Sequence, residues 1–509
     1  MTKKTILILG AGPAGLTAAY ELASKSDKFK IIVLDKNNCV GGMCRSLKYK
    51  NNYMDIGGHR YFTKFNKIKK WWLNILPLQT APAKDDILLS RNLDLLSNNN
   101  ADPEKIDKVM LKRFRYTRIF YLNKFFDYPV KLNFTTFKGL GLTRMGKIFF
   151  SYVHAKIFPI KPEKTAEDFL TNSFGKELYS TFFKNYTEKL WGIQCDKISA
   201  EWGKERIRGI KFWETVLSFL RSLFPRKDTF PDDFLYPKLG PGQIWEEVAK
   251  SITEMGVEIR LNSTIGKIIT NKSKIIKIET TENGKKRTID ADYVISSLAI
   301  QDLINMMNDV PKTVQETAEG LVYRNFRSAA ILLKKLKLKN KTSIKSINNL
   351  LPDTWIYIQE NNVKMGRMQI FNNWSPYLPE NSDNVWIAFE YFCSDSDDIW
   401  LLSDKEFEKL AIDEGVKIGI IDTADVLDAT SAKIEKAYPA YFGSYNNFDT
   451  IKEYSDSIKN LYLIGRNGMH KYINIDHAML SGMEAAKNIL QNLPNKANIW
   501  NTDTDKFLD

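Results

Sequence analysis

Gly10-Ala11-Gly12-Pro13-Ala14-Gly15 stands between the aliphatic and β-branched run Thr5–Gly10 and a stretch, Pro13–Ser24, whose apolar residues recur at helical spacing. A second apolar run, Lys30–Asp35, ends on an acid about 20 residues beyond Gly15. Strand, glycine turn, helix, strand and acid in that order predict a βαβ unit that holds a dinucleotide. Gly10 permits the tight turn, Gly12 lets backbone approach a pyrophosphate, and Gly15 lets helix and strand pack closely. The helix N-terminus, opened by Pro13 and Ala14, stabilises phosphate charge. Asp35, with Lys36 beside it, would accept hydrogen bonds from a ribose.

One such unit uses little of a 509-residue chain whose 43% hydrophobic content is that of a globular protein. From about Trp71 to Phe224 the pattern is aromatic-rich and helical, notably over Phe149–Phe158, Ala166–Phe174 and Phe212–Phe224. A turn at Leu239–Gly242, a helix over Ile244–Met255, a strand-turn-strand series over Val257–Asp292 around Glu282-Asn283-Gly284, and the strand Tyr293–Ser297 then return to the first domain. Arg327–Leu338, Thr354–Gln359, Met368–Asn372 and Val385–Phe392 read as strands of a second sheet, Leu461–Gly465 as a last strand and Asp476–Leu490 as a terminal helix. The expected fold is α/β. A Rossmann-like domain is assembled from residues 1–70, 230–310 and 440–495, with a helical insertion over 71–229, a mainly antiparallel-sheet substrate domain over 311–439 and a tail over 496–509.

No apolar run reaches the roughly 18 residues that span a bilayer, and Met1–Lys4 leads straight into a strand, so a cytoplasmic protein is expected. Cys39, Cys44, Cys195 and Cys393 are too scattered for a disulfide framework, and no Cys or His spacing suggests a metal. The net charge of +14 suits an anionic partner such as a nucleotide, a phosphate or an acidic membrane surface, or else reflects a Lys-rich proteome. The basic residues are spread along the chain without a recognition module, which argues against nucleic acid. Phe212–Phe224, with Arg221 and Arg226 beside its apolar residues, is either core or a contact for a membrane or partner subunit.

Gly41-Gly42-Met43-Cys44-Arg45-Ser46 resembles the second glycine motif of amine-oxidase-like flavoproteins, whose backbone and arginine approach the pyrophosphate and flavin. The resemblance implies FAD rather than NAD. It also matches Val257-Glu258-Ile259, leading to Ile265, with the adenine-side strand of that clan, and Tyr293–Ser297 with its middle strand. Asp55-Ile56-Gly57-Gly58-His59-Arg60 is similar to the element of UDP-galactopyranose mutases in which the histidine lies beside the flavin.

The mutase resemblance runs on through Asn185–Gly192, with Trp191 at the substrate, and through Ile198–Ile207, where Arg206 takes the role of a diphosphate-binding arginine. Trp355, Tyr357, Arg367, Phe371 and Trp374 repeat the family's aromatics around a second such arginine, Trp374 standing where tyrosine is usual. Gly465-Arg466-Asn467-Gly468, Tyr472, Asn474 and Asp476 resemble the element lining sugar and flavin, and Asp476–Gly482, with Met479, starts a helix aimed at the flavin. Tyr128 belongs to a related Tyr-Pro element, but Val130 and Lys131 replace the aromatic and amide that follow it, and His470 replaces a usual aromatic. The chain can therefore act on a sugar other than galactose.

The resemblance implies a mutase that interconverts pyranose and furanose forms of a nucleotide-diphosphate sugar, expected to be UDP-linked, through N5 of reduced FAD. An external reductant such as NAD(P)H would keep the flavin reduced. His59, Arg206, Arg367, Arg466, Tyr472 and Asn474 are the expected catalytic set. The alternative is an FAD-dependent oxidoreductase of the amine oxidase, protoporphyrinogen oxidase or desaturase type, which shares the glycine motifs.

Overall fold

The computed structural model describes residues 3–95, 100–128, 130, 136, 139–200, 202–203 and 232–502. The chain opens with β1 (Lys4–Leu9), α1 (Pro13–Ala23) and β2 (Phe29–Leu34). Each strand buries its last four residues completely, as a parallel sheet covered on both faces requires. A hairpin of β3 (Ser46–Tyr49) and β4 (Asn52–Asp55) and a helix, α2 (Asn66–Ile75), follow.

The interval expected to be helical from Trp71 also supplies three strands, β5 (Met110–Arg115), β6 (Thr117–Tyr121) and β7 (Lys124–Asp127). Leu122 and Asn123, both at positive φ, form the two-residue turn between β6 and β7. Regular helix resumes with α3 (Leu142–Ile157) and α4 (Ala166–Phe174). Thr165 caps α4 by accepting the Asp168 N–H while the Asp168 carboxylate accepts the Thr165 N–H. After α5 (Asn185–Trp191), β8 (Asp232–Pro237) pairs with β5.

The second half holds α6 (Gly242–Glu254), β9 (Glu258–Arg260), the antiparallel trio β10 (Ser263–Asn271), β11 (Lys274–Glu282) and β12 (Lys285–Asp290), and β13 (Tyr293–Ser296). Then come β14 (Leu321–Leu333), β15 (Trp355–Ile358), β16 (Arg367–Ile370), β17 (Val385–Cys393), α7 (Asp404–Lys417), β18 (Val426–Gly443), β19 (Leu461–Leu463) and α8 (Ile475–Leu490).

The first sheet is parallel, in the order β19-β13-β1-β2-β9, so the start, middle and end of the chain meet in one layer. The second is mainly antiparallel, in the order β18-β14-β17-β16-β15-β6-β7; its one parallel pair joins β6 to β15. β17 is buried at all nine positions because side chains of two separate cores cover its two faces. α1 and α8 lie in close contact, and the approach depends on Gly482: a Cβ there would come within 2.4 Å of the Ala14 carbonyl oxygen.

Candidate functional site

A cavity of about 1320 Å³ opens between the carboxyl ends of the parallel strands and one face of the second sheet. Open α/β sheets bind ligands at that edge.

At its outer end the glycine motif closes against the neighbouring strand. Gly10 adopts φ +106°, and a side chain there would meet the Ser297 hydroxyl. Gly12, Pro13 and Ala14 line the cavity, and Gly12, the N-cap of α1, offers no side chain to its first-turn N–H groups. An uncapped helix start facing a cavity is suited to an anion. Asp35 braces this loop: its Oδ2 accepts the Ala11 N–H at 2.7 Å and its Oδ1 the Asn37 N–H at 2.8 Å. Gly15 lies below the loop, where a Cβ would strike the Gly10 carbonyl oxygen.

The second glycine motif docks on the first. The Gly41 N–H donates to the Ala11 carbonyl at 2.8 Å, and a Cβ on Gly42 would come within 3.1 Å of the Gly12 Cα. Arg45 donates from Nη1 to the Gly42 carbonyl at 2.8 Å. Met43, Cys44, Arg45 and Ile265 line the cavity, as does Lys36, whose Nζ donates to Glu435 at 2.8 Å. Two bare-backbone loops, a free helix start and Asp35 lining the cavity just after β2 fit the diphosphate and ribose of FAD.

The inner end is built on the Gly57-Gly58-His59 turn. Trp355 lies so close to Gly58 that a Cβ would come within 2.5 Å of its indole. His59 donates from Nε2 to the Ile56 carbonyl at 2.8 Å, which leaves Nδ1 as the acceptor, 3.8 Å from the Cys44 sulfur. Burial, and after it the charge of Arg466, push the His59 pKa down to about 4, and burial pushes the Cys44 thiol up to about 12. Both groups are neutral near pH 7.

Two cations share this end. Arg367 donates from Nε to the buried Glu390 carboxylate and from Nη2 to the Tyr438 hydroxyl at 3.1 Å, while Nη1 donates to no described residue. Burial is the largest influence and opposes its charge, but Glu390 together with Tyr438, Tyr186 and Tyr472 outweighs burial and keeps the guanidinium cationic. Gln369 donates to the second oxygen of Glu390 at 2.5 Å. Arg466 is fixed by two donations to the Ile473 carbonyl, at 3.1 and 2.8 Å, and lies 4.8 Å over the Tyr472 ring. Tyr472 in turn stacks on Tyr438, with centroids 5.4 Å apart and planes 14° apart. Tyr357 sits 6.1 Å from Trp355, 4.6 Å from Tyr128 and 5.0 Å from Tyr186, which makes an aromatic wall.

Of the residues expected from sequence, Gly57, Gly58, His59, Tyr128, Trp355, Tyr357, Arg367, Gly465, Arg466, Tyr472 and Asn474 thus line one cavity with the glycine motifs. Trp191, Trp374, Asp476 and Met479 do not line it. Trp191 packs against Trp202 and Tyr441 in the core, and Leu190, one position earlier on α5, faces the cavity instead. Trp374 follows β16 on a helical turn, which carries its indole beneath Trp355, where Nε1 donates to the Thr354 carbonyl at 2.9 Å. Asp476 accepts the His477 N–H, and Met479 meets Trp72 below α8. His470 is buried, its Nε2 donating to the Ala440 carbonyl at 3.0 Å. Arg206 and Phe212–Phe224 lie outside the described residues. Sequence reasoning missed Glu390 and Tyr438. The lone acid in the otherwise apolar run of β17, VWIAFEYFC, was the signal for Glu390.

Fold and site together define an FAD-binding flavoenzyme. The chain belongs to the family of flavin-containing amine oxidoreductases, whose pattern it matches over residues 13–490. A crystal structure of reduced UDP-galactopyranose mutase superimposes with a TM-score of 0.76 over 98% of both chains, at 20% identity. Cyclohexylamine oxidase from Brevibacterium oxydans IH-35A gives a TM-score of 0.59 over 97% of this chain and 100% of that one, at 12% identity. At such identities the likeness is one of fold. Sequence relatives are matched over 7% to 26% of their own length. Among them, an L-amino-acid oxidase of Crotalus adamanteus is 37% identical over 68 residues, 13% of each chain.

Proposed function

We propose that this flavoenzyme is a mutase that interconverts pyranose and furanose forms of a nucleotide-diphosphate sugar, UDP-linked sugars being the first to test. The observation that carries the reading is Arg367, a cation fixed by Glu390 and Tyr438 within a cavity walled by Trp355, Tyr357 and Tyr472. A guanidinium held on one edge keeps its other donors for phosphate oxygens, and such bonds are charge-assisted. Reduced FAD would supply the nucleophilic N5 for a sugar's anomeric carbon.

The chain's own groups position and stabilise. Arg367, with Arg206 by resemblance, binds the diphosphate and stabilises the negative charge that grows as it departs. The aromatic wall excludes water and stacks on the sugar or base. His59, neutral and fixed by Ile56, presents a hydrogen-bonding edge without adding charge, while Arg466 and Asn474 orient ligands at the start of α8.

A second reading, an FAD-dependent oxidoreductase acting on an amine, porphyrinogen or alcohol, is favoured by the family assignment and by the fold shared with cyclohexylamine oxidase. One experiment separates the two. Dithionite-reduced protein mixed anaerobically with UDP-galactose and other nucleotide sugars is expected to form a furanose product; turnover confined to an oxidisable substrate, with oxygen uptake, establishes the second reading. Arg367→Ala is expected to weaken nucleotide-sugar binding by roughly 10- to 150-fold, the loss of a charged hydrogen bond of about 1.5–3 kcal/mol, with FAD retained. Unchanged binding removes the diphosphate assignment.

A further inference from the structure

α3 is apolar on two opposite sides. On one, Ile148 and Ala155 are buried, and Ile148 packs with Leu178 and Phe182, which line the cavity. On the other, Leu142, Phe149, Phe150 and Ile157 are 74%, 59%, 71% and 62% exposed. At 3.6 residues per turn these four fall within about 100° of arc, a continuous stripe along the helix. Phe158 and Ile160, also exposed, prolong it past the C-terminus. A surface helix shows a single apolar stripe, and one that is apolar on both sides is covered on both. Among the described residues nothing covers the outer stripe.

Charge selects what does. The flanks of the stripe carry Lys147 and Lys156, and the sequence of α3, LTRMGKIFFSYVHAKI, contains no acid. Arg144, on the inner side, is answered by Glu177 at 3.7 Å. A second copy docked through a two-fold axis would set the flanking cations against their own images, which like-charge repulsion opposes. An anionic surface complements them and the net charge of +14. We infer that α3 lies flat on a membrane surface that displays anionic headgroups, with Leu142, Phe149, Phe150 and Ile157 entering the headgroup–acyl boundary. This is peripheral attachment; no helix among the described residues is long and apolar enough to cross a membrane. The element differs from Phe212–Phe224, and the attachment does not depend on which reaction the cavity supports.

The test is flotation of the full-length, FAD-loaded protein with phosphatidylglycerol-containing vesicles and with pure phosphatidylcholine vesicles. The protein is expected to float with the former, to be released by salt, and to bind the latter far more weakly. Phe149→Glu combined with Phe150→Glu is expected to lower binding about a hundredfold, with FAD content and melting temperature unchanged. Lys147→Glu combined with Lys156→Glu is expected to lower binding to the anionic vesicles severalfold. Absence of flotation, or a phenylalanine double variant that floats like the parent, overturns the inference. A dimer in light scattering that the phenylalanine substitutions dissociate assigns the face to a second copy instead. A melting temperature lowered by several degrees shows the stripe to be covered by the chain itself, and that too overturns it.

Discussion

Asp55 ends β4 directly before the Gly57-Gly58-His59 turn, fully buried, its carboxylate accepting from the Tyr236 hydroxyl and, at 3.4 Å, from Ser46. Burial raises its pKa from 3.8 to about 7, whereas burial lowers that of His59 from 6.5 to about 4. The two act on stability with opposite signs. Between pH 3.8 and about 7 the folded chain holds a proton on Asp55 that the unfolded chain has released, so stability falls as pH rises through that window. Between about 4 and 6.5 the unfolded chain holds a proton on His59 that the folded chain lacks, so stability rises with pH. In the parent the contributions offset. Asp55→Asn keeps an acceptor for Tyr236 and removes the falling contribution, so the stability of the variant is expected to climb relative to the parent by a few kcal/mol between pH 4 and 7, at about 1.4 kcal/mol per unit of pKa shift. Urea midpoints across that range check it, and parallel profiles for parent and variant refute it. At this scale, residues anchored to a motif were legible in sequence: His59 follows two glycines, and Arg466 follows the last strand. Glu390 and Tyr438 were not, because each gains its role from another strand, Glu390 through Arg367 at its own register position on β16 and Tyr438 through the same Arg367 reaching across β17 and β14.

The β1-α1-β2 unit was legible because its glycines are dictated by local backbone, and β15 to β17 because mostly apolar runs announce buried strands; β14 was legible only in its second half, Arg327–Leu338 being expected where the strand spans Leu321–Leu333, because Arg324, Asn325 and Arg327 interrupt its apolar run. β18 was not legible. Its 18 residues, VLDATSAKIEKAYPAYFG, form an edge strand with polar residues and a bulge around Lys436, which has φ +51°, so neither strand periodicity nor length stands out. β5 and β6 were hidden for a related reason: β8 and β15, with which they pair, lie more than a hundred positions along the chain. Likewise, aromatic spacing around Arg367 did not reveal that the strand ends at Ile370 and turns Trp374 away. Helix-to-helix contact gives a sharper prediction than any of these. α1 and α8 both begin at the cavity, and they stay together because Gly482 admits the backbone of Ala14. Gly482→Ala forces that rigid contact apart and is expected to destabilise the protein by about 1–3 kcal/mol, with weaker FAD retention, since overpacking a closed interface moves both helices. Differential scanning calorimetry with flavin absorbance would register both losses; a variant with parental melting and full flavin would show the two helix starts to be independent.

Among the described residues the two largest sheets meet around the cavity, and the direct links between them at its mouth are modest. Lys36 meets Glu435 with both side chains more than half exposed, a pairing worth about 0–1 kcal/mol. Lys436 reaches Asp302 and Gln301, and Asn467 donates to the Lys436 carbonyl at 2.9 Å. Between these links lies a volume whose walls come from both sides: Gly12, Asp35 and Gly465 from the parallel sheet, Trp355, Arg367 and Tyr438 from the antiparallel one. A dinucleotide that contacts both walls binds only when the sheets hold their native spacing, so its binding free energy adds to the stability of the folded chain. FAD-free protein is therefore expected to melt below the FAD-loaded form, and titrated FAD to restore stability with the logarithmic dependence of a ligand that binds only the folded state, about 2.7 kcal/mol at a hundredfold excess over Kd. NAD, which lacks an isoalloxazine, is expected to restore little of it, and Lys36→Ala to change either melt by no more than about 1 kcal/mol. Equal melting of the two forms, or equal rescue by NAD, would mean that the outer glycine loops alone bind the dinucleotide and that the aromatic and arginine wall of the second sheet plays no part in holding it.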